Sequence, residues 1–213
     1  MATLRSGVYG GYYGSLYNES SSLSQTQMNL NAVYIATYLI SKGWTIFAVA
    51  GILGNMQAES SLNPGRWQSE DVGNSSGGYG LVQWTPASKY LEWCNANGYS
   101  DPSEMDNNLK RIIYELENNL QWIPTSEYPE SFLEFSKSNN SPTYLASAFL
   151  KNYERAGVEV ESTRRQNALD WLNYLINTNF PIIPDTPTPT PTPTTKKKKK
   201  FNFVLFNRRR RVF

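Results

Sequence analysis

From Gln27 to about Ile176, apolar residues recur at intervals of three and four, the spacing of helices that bury one face. Leu30, Val33, Tyr34, Thr37, Tyr38 and Ile40 form the first such stripe, which fades at Lys42-Gly43. Thr45 then stands where an N-cap is expected, and Ile46 to about Glu59 predicts a second helix. That segment is apolar on most sides, with the small residues Ala48, Ala50, Gly51, Gly54 and Ala58 interspersed. A helix with no polar face is normally a buried central one, and small residues let its neighbours approach closely. Asn63-Pro64-Gly65 ends it.

Between residues 65 and 85 helical periodicity disappears. Gly65, Ser69, Gly73, Ser75, Ser76, Gly77, Gly78 and Gly80 predict a loop or a small β-hairpin, with Tyr79 to Trp84 as its strand. Helical patterns resume over about Pro86–Asn97, Asp106–Trp122, Pro129–Ser136, Pro142–Glu154 and Glu161–Ile176. The expected fold class is therefore mainly α, a helical bundle around one buried helix with a small hairpin beside it. Four regions follow from the composition: an irregular Gly/Tyr/Ser arm over 1–25, the helical domain over 26–183, a Pro/Thr linker over 184–195 and a basic-aromatic tail over 196–213. The linker favours polyproline II, which at about 3.1 Å per residue makes a stiff spacer of roughly 37 Å.

Charge sharpens that division. The formal net charge of +2 hides two opposite parts. Residues 1–183 carry 11 Lys and Arg against 17 Asp and Glu, a net charge of −6, whereas residues 184–213 carry nine cations and one acid, a net charge of +8. Nine cations suit an anionic partner, such as a wall polymer or a membrane surface, and the Phe-Asn-Phe-Val-Leu-Phe centre has interfacial rather than spanning length. Anchoring to another protein and a merely incidental sequence end are the other readings of this tail. Nothing in the helical body points to specific nucleic-acid binding. The longest apolar run, near Phe47–Leu53, is too short for a bilayer, and no apolar stretch follows Arg5 as an export signal requires.

The chain has no histidine and one cysteine, Cys94. Ser-His-Asp and Cys-His hydrolysis in their usual forms are excluded, as is a His- or thiolate-ligated zinc site, so no metal or cofactor is expected. Hydrolytic chemistry then rests on carboxylates, and Glu59 is the first candidate. Burial disfavours a carboxylate, and so does the negative end of a helix dipole, so this position suits a general acid. From position alone Glu59 is equally readable as a surface residue before a turn. About twenty residues on, Tyr79-Gly80-Leu81-Val82-Gln83-Trp84 brings an amide and two aromatics together, the equipment of a sugar site or of an ordinary core strand.

Glu59-Ser60 followed by Gly80-Leu81-Val82-Gln83 resembles the Glu-Ser and Gly-Leu-Met-Gln motifs of goose-type lysozymes and soluble lytic transglycosylases. The stretches Gly51 to Ser60, Asn63-Pro64-Gly65, Gly80 to Pro86 and Tyr153-Glu154-Arg155 are more similar still to phage tail-tip lysozymes, over about residues 28–176. The third motif departs from the transglycosylase Ala-Tyr-Asn: here it reads Asn152-Tyr153-Glu154, with only the tyrosine shared. The resemblance implies a lysozyme-like α+β fold and a peptidoglycan hydrolase acting between N-acetylmuramic acid and N-acetylglucosamine. It implies Glu59 as the catalytic acid, with Tyr79, Gln83, Trp84, Tyr153 and Glu154 toward the glycan. Candidates for a second carboxylate are Glu70, Asp71 and Glu154, of which Asp71, on the Gly/Ser loop, is the one expected to activate water. Glu154 is alternatively structural, paired with Arg155 or Arg66. The alternatives in function are a transglycosylase forming anhydro sugars and a non-catalytic wall-binding or virion protein. The expected setting is a phage tail, with tail proteins as partners, or a released lysin at the host wall.

Overall fold

The structure, a computed structural model, describes residues 3–5, 8–10, 22–155 and 160–178. The linker and tail expected from residue 184 onward lie outside the described residues. The fold is mainly helical, as the apolar spacing predicts. Helix α1 runs Gln25–Ser41, opened by a capping box in which Ser24 accepts from the Gln27 amide and the Gln27 side chain returns to Ser24. Helix α2 runs Ile46–Ser60, and Thr45 caps it by accepting from Ala48 N. Every residue from Ala48 to Met56 is buried, so α2 is the central helix its all-round apolarity predicts. Side chains such as Ile52, Leu53 and Met56, fully enclosed, contribute about 1.5–3 kcal/mol each.

After the loop come α3 (Ser88–Ala96), α4 (Met105–Glu117), α5 (Phe132–Lys137), α6 (Pro142–Phe149) and α7 (Glu161–Asn177), of which α5, α6 and α7 pack on α2 together with α1, while α4 packs on α1 and α5. The two closest neighbours of α2 are α6 and α7, which also pack on each other. Small residues make this approach possible. A Cβ at Gly54 would lie 2.5 Å from Arg164 O and 2.8 Å from Ala168 N of α7. One at Gly51 would lie 2.8 Å from Leu145 Cβ of α6. A second apolar layer is aromatic: Trp122 stacks on Phe132 (centroids 4.9 Å apart) and Phe149 on Tyr153 (4.4 Å), with Trp44 and Phe135 set edgewise or tilted against them.

Helix α6 does not stop at Phe149 but widens into a π-helical turn over Leu150–Glu154, ended by Arg155 in the left-handed region (φ 52°). Single π turns inside α-helices are frequent at functional sites. This one sends Tyr153 into the aromatic layer and Glu154 toward α7.

Two expectations change. The small hairpin over residues 65–85 is not a strand ladder. Only the isolated antiparallel bridges Trp67–Tyr79 and Tyr79–Trp84 form there, around a 3-10 turn at Gln68–Glu70. The reason is local: Gly80 (φ 81°) and Gln83 (φ 50°) turn the chain back, so Tyr79 pairs with Trp84 of its own segment. The ladder found among the described residues lies in the arm expected to be irregular, where β1 (Thr3–Arg5) pairs antiparallel with β2 (Val8–Gly10).

Candidate active site

The end of α2 is fastened to the following loop by its own side chains. Ser61 caps the helix in the left-handed conformation, and the neighbouring Ser60 hydroxyl donates to Leu81 O at 2.9 Å. The Asn63 side chain accepts from Gly65 N, closing the turn after the helix. On the other side, Asn108 of α4 accepts from Leu81 N at 3.0 Å. A Cβ at Gly80 would lie 2.6 Å from that Asn108 oxygen and 2.9 Å from Trp84 Cζ3, which is why glycine stands there. The Glu-Ser and Gly-Leu-Val-Gln segments are thereby fixed side by side.

Between them opens a cleft of about 530 Å³ whose lining includes Glu59, Arg66, Gln83, Lys89, Glu154 and Arg155. Trp84, Tyr153 and Gln121 also contribute to it. The surface is mostly polar, and three cations, Arg66, Lys89 and Arg155, line it although the helical body is net acidic. Of the two carboxyl groups in the lining, the Glu59 side chain is 21% exposed and that of Glu154 only 5%, so Glu59 is the acid a ligand can reach.

Glu59 and Glu154 meet at one guanidinium. Arg164, reaching back from the first turn of α7, places Nη2 2.6 Å from Glu59 Oε1 and Nη1 2.8 Å from Glu154 Oε2. Nη1 is also 3.3 Å from Asn55 Oδ1 of α2. The contact with Glu154 lacks the alignment of a hydrogen bond, and both Glu154 oxygens are buried without one. Burial therefore holds the Glu154 carboxyl well above the usual carboxylate range, with the neighbouring Glu59 charge adding to the shift and Arg164 opposing it. The pairing of Glu154 with Arg155 or Arg66 expected from sequence is replaced by this pairing with Arg164. Arg155 instead donates to the Gln121 and Asn152 carbonyls.

A second buried carboxylate lies behind the cleft. Glu115 of α4 is 1% exposed. It accepts from Arg111 Nε at 2.8 Å, from Trp84 Nε1 at 3.2 Å and from the Tyr153 hydroxyl. Burial raises Glu115 above the usual carboxylate range, opposed by these donors, and pushes the Tyr153 hydroxyl well upward. This network locks two cleft-lining aromatics. Glu115 and Arg164 were missed in the sequence. For Glu115 a signal existed, since it falls on the buried stripe Met105, Asn108, Leu109, Ile112 of its helix. For Arg164, 105 residues from Glu59, none did.

Of the residues singled out from sequence, Glu59, Gln83, Trp84, Tyr153 and Glu154 line the cleft, and Asp71 and Tyr79 do not. Asp71 sits on an exposed turn where its carboxylate accepts from Asn74 Nδ2 at 2.9 Å. The loop folds on itself there, so Asp71 is not brought to Glu59. Tyr79 is 2% exposed, packed against Trp67 and Tyr90, and supports the cleft from beneath. Trp84 is likewise stacked on Tyr90 (4.5 Å, 13°), so little of its ring remains as a platform. Gln83 Nε2 is committed to the Arg66 and Gly80 carbonyls at 3.1 and 3.0 Å. Among the described residues, no group of three His, Cys, Asp or Glu side chains is arranged to hold a metal ion.

Residues 30–175 match the family model for phage tail lysozyme, spanning the central helix, the loop and the π turn. The chain is also 47% identical over 159 residues to morphogenesis protein 1 of Bacillus phage B103, a match covering 75% of this chain and 43% of that protein. The chain thus spans less than half the length of that curated relative. With the family model covering more than half of its residues, the chain belongs to the phage tail lysozyme family.

Proposed function

We propose that this protein is a peptidoglycan hydrolase that cleaves the β-1,4 bond between N-acetylmuramic acid and N-acetylglucosamine, with Glu59 as the general acid. The observation that carries the reading is the cleft's one accessible carboxyl, standing at the end of the buried helix and held in place by Arg164. Glu59 donates a proton to the glycosidic oxygen as the bond to the anomeric carbon breaks, and water completes the cleavage. Lys89, Arg66 and Arg155 support a substrate that carries carboxylates, as a muramoyl peptide glycan does and a neutral polysaccharide does not. The family and the phage relative support a role in breaching the host wall from a phage tail, with tail proteins as partners.

The test is a zymogram on purified cell walls. Glu59→Gln, which keeps size and shape, is expected to lose 10²-fold or more of the clearing rate, on the order of what a positioned general acid supplies. A Glu59→Gln protein that clears walls at the wild-type rate overturns the assignment. Mass spectrometry of the digest reads the bond and the attacking group. Reducing muramic acid ends are expected, and 1,6-anhydro ends would mean that the muramoyl 6-hydroxyl rather than water attacks.

A further inference from the structure

A general acid must hold a proton, yet Glu59 is in contact with an arginine at 2.6 Å, a partner that favours the ionised form. The surroundings resolve the conflict. Two carboxyl groups, Glu59 from α2 and Glu154 from the π turn, share the single guanidinium of Arg164 from α7. One cation neutralises one carboxylate. A second negative charge in a site where Glu154 is 5% exposed and accepts no aligned hydrogen bond would be an unpaired buried ion. The two carboxyl groups meet adjacent nitrogens of the same guanidinium, and two carboxyl groups brought together in this way are compatible only if one of them keeps its proton. The other charged groups around the cleft, Arg66 after α2, Lys89 at the start of α3 and Arg155 after the π turn, are all cations and add no third acid.

We infer that Glu154 is a positioning residue that stores the catalytic proton for Glu59, with Arg164 holding the resting pair at a total charge of zero. This rests on the proposed glycosidase reading. In the resting site the proton sits on Glu154 while Arg164 neutralises Glu59. As the glycosidic bond breaks, the proton passes from Glu154 through Glu59 to the leaving oxygen, and the two carboxylates then share Arg164, their one unpaired negative charge facing the positive charge that develops at the anomeric carbon. The attacking hydroxyl, of water or of the sugar, loses its proton back to the pair, and the site is restored with atoms and charges balanced. The pair titrates as a unit.

The variants Glu154→Gln and Arg164→Gln move that titration in opposite directions. In Glu154→Gln one carboxyl group faces Arg164 and no second acid is left to hold the proton. The alkaline limb of the wall-clearing rate is expected to shift down by about one pH unit, with about a 10- to 100-fold loss at neutral pH. In Arg164→Gln both carboxyl groups lose their cation, and the limb is expected to shift up. A purely structural Glu154 would lower the rate at every pH and leave both limbs in place, and that result overturns the proposal. A second readout needs no turnover. In protein labelled at the glutamate carboxyl carbons, NMR is expected to show a Glu carboxyl still protonated at neutral pH that vanishes in folded Glu154→Gln. Its absence from the wild-type protein refutes the proton store even if walls are cleared. Its presence in a protein that clears none would refute the glycosidase reading alone.

Discussion

At the level of single residues, the cleft is built around buried carboxyl groups with few partners and high consequence. Glu115 is the sharpest case, because one side chain terminates donors from Arg111, Trp84 and Tyr153. Glu115→Ala would strand all three donors in a buried pocket, and breaking a buried ionic network by removing one partner costs about 3–5 kcal/mol. Urea denaturation is expected to show a lower midpoint with an unchanged slope, together with a loss of wall clearing as Tyr153 and Trp84 are released. A stability within about 1 kcal/mol of wild type would mean that the network is not what holds them. Residue identity made Glu59 and Tyr153 legible in advance, because their motifs are short and contiguous. Arg164 had no such mark: an Arg-Arg pair on an otherwise polar helix reads as solvated surface until the helix is docked.

Among the elements, α2 and α7 act as a clamp that brings Arg164 to Glu59. The clamp depends on Gly54, where a side chain would meet Arg164 O at 2.5 Å. Gly54→Ala gains about 1 kcal/mol in helix propensity but incurs an overpacking cost of about 1–3 kcal/mol as α7 is pushed away. The expected net effect is a modest loss of stability, up to about 2 kcal/mol in thermal or urea unfolding, with a much larger loss of activity because Arg164 moves with its helix. Equal, small losses in both measurements would argue against the clamp. Helix boundaries were readable from the 3.6-residue period: α2 and α7 lie within a residue or two of the expected limits. The period cannot reveal a π turn, since Pro142 to Glu154 is apolar enough to pass for one continuous helix. Nor did composition foresee that residues 79–84 would bridge to each other, which follows from positive φ at Gly80 and at Gln83, a non-glycine residue.

At the scale of the whole molecule, charge is divided between an acidic helical body and a basic segment, residues 184–213, that lies outside the described structure. Among the described residues no helix is long and apolar enough to cross a membrane. Deleting residues 184–213 is expected to weaken binding to purified walls at low salt and to flatten its salt dependence, since the nine cations at its end are screened by ions. Unchanged salt-dependent binding in a sedimentation assay would reject an electrostatic role for the segment. Local information was enough for the helices, the buried central one among them, and for singling out Glu59, a carboxyl group that lines the cleft. Periodicity, capping and short motifs are properties of neighbouring residues, and neighbours in sequence stay neighbours in the fold. The partners of that acid came only with packing. Glu154 and Arg164 lie 95 and 105 residues beyond Glu59, and their encounter depends on how closely α6 and α7 press on α2. Asp71 shows the converse, for a carboxylate only twelve residues away turns outward because its loop closes on Asn74. Close approach of distant segments is an outcome of three-dimensional packing that no local pattern encodes, and it is where the chemistry of this site is set.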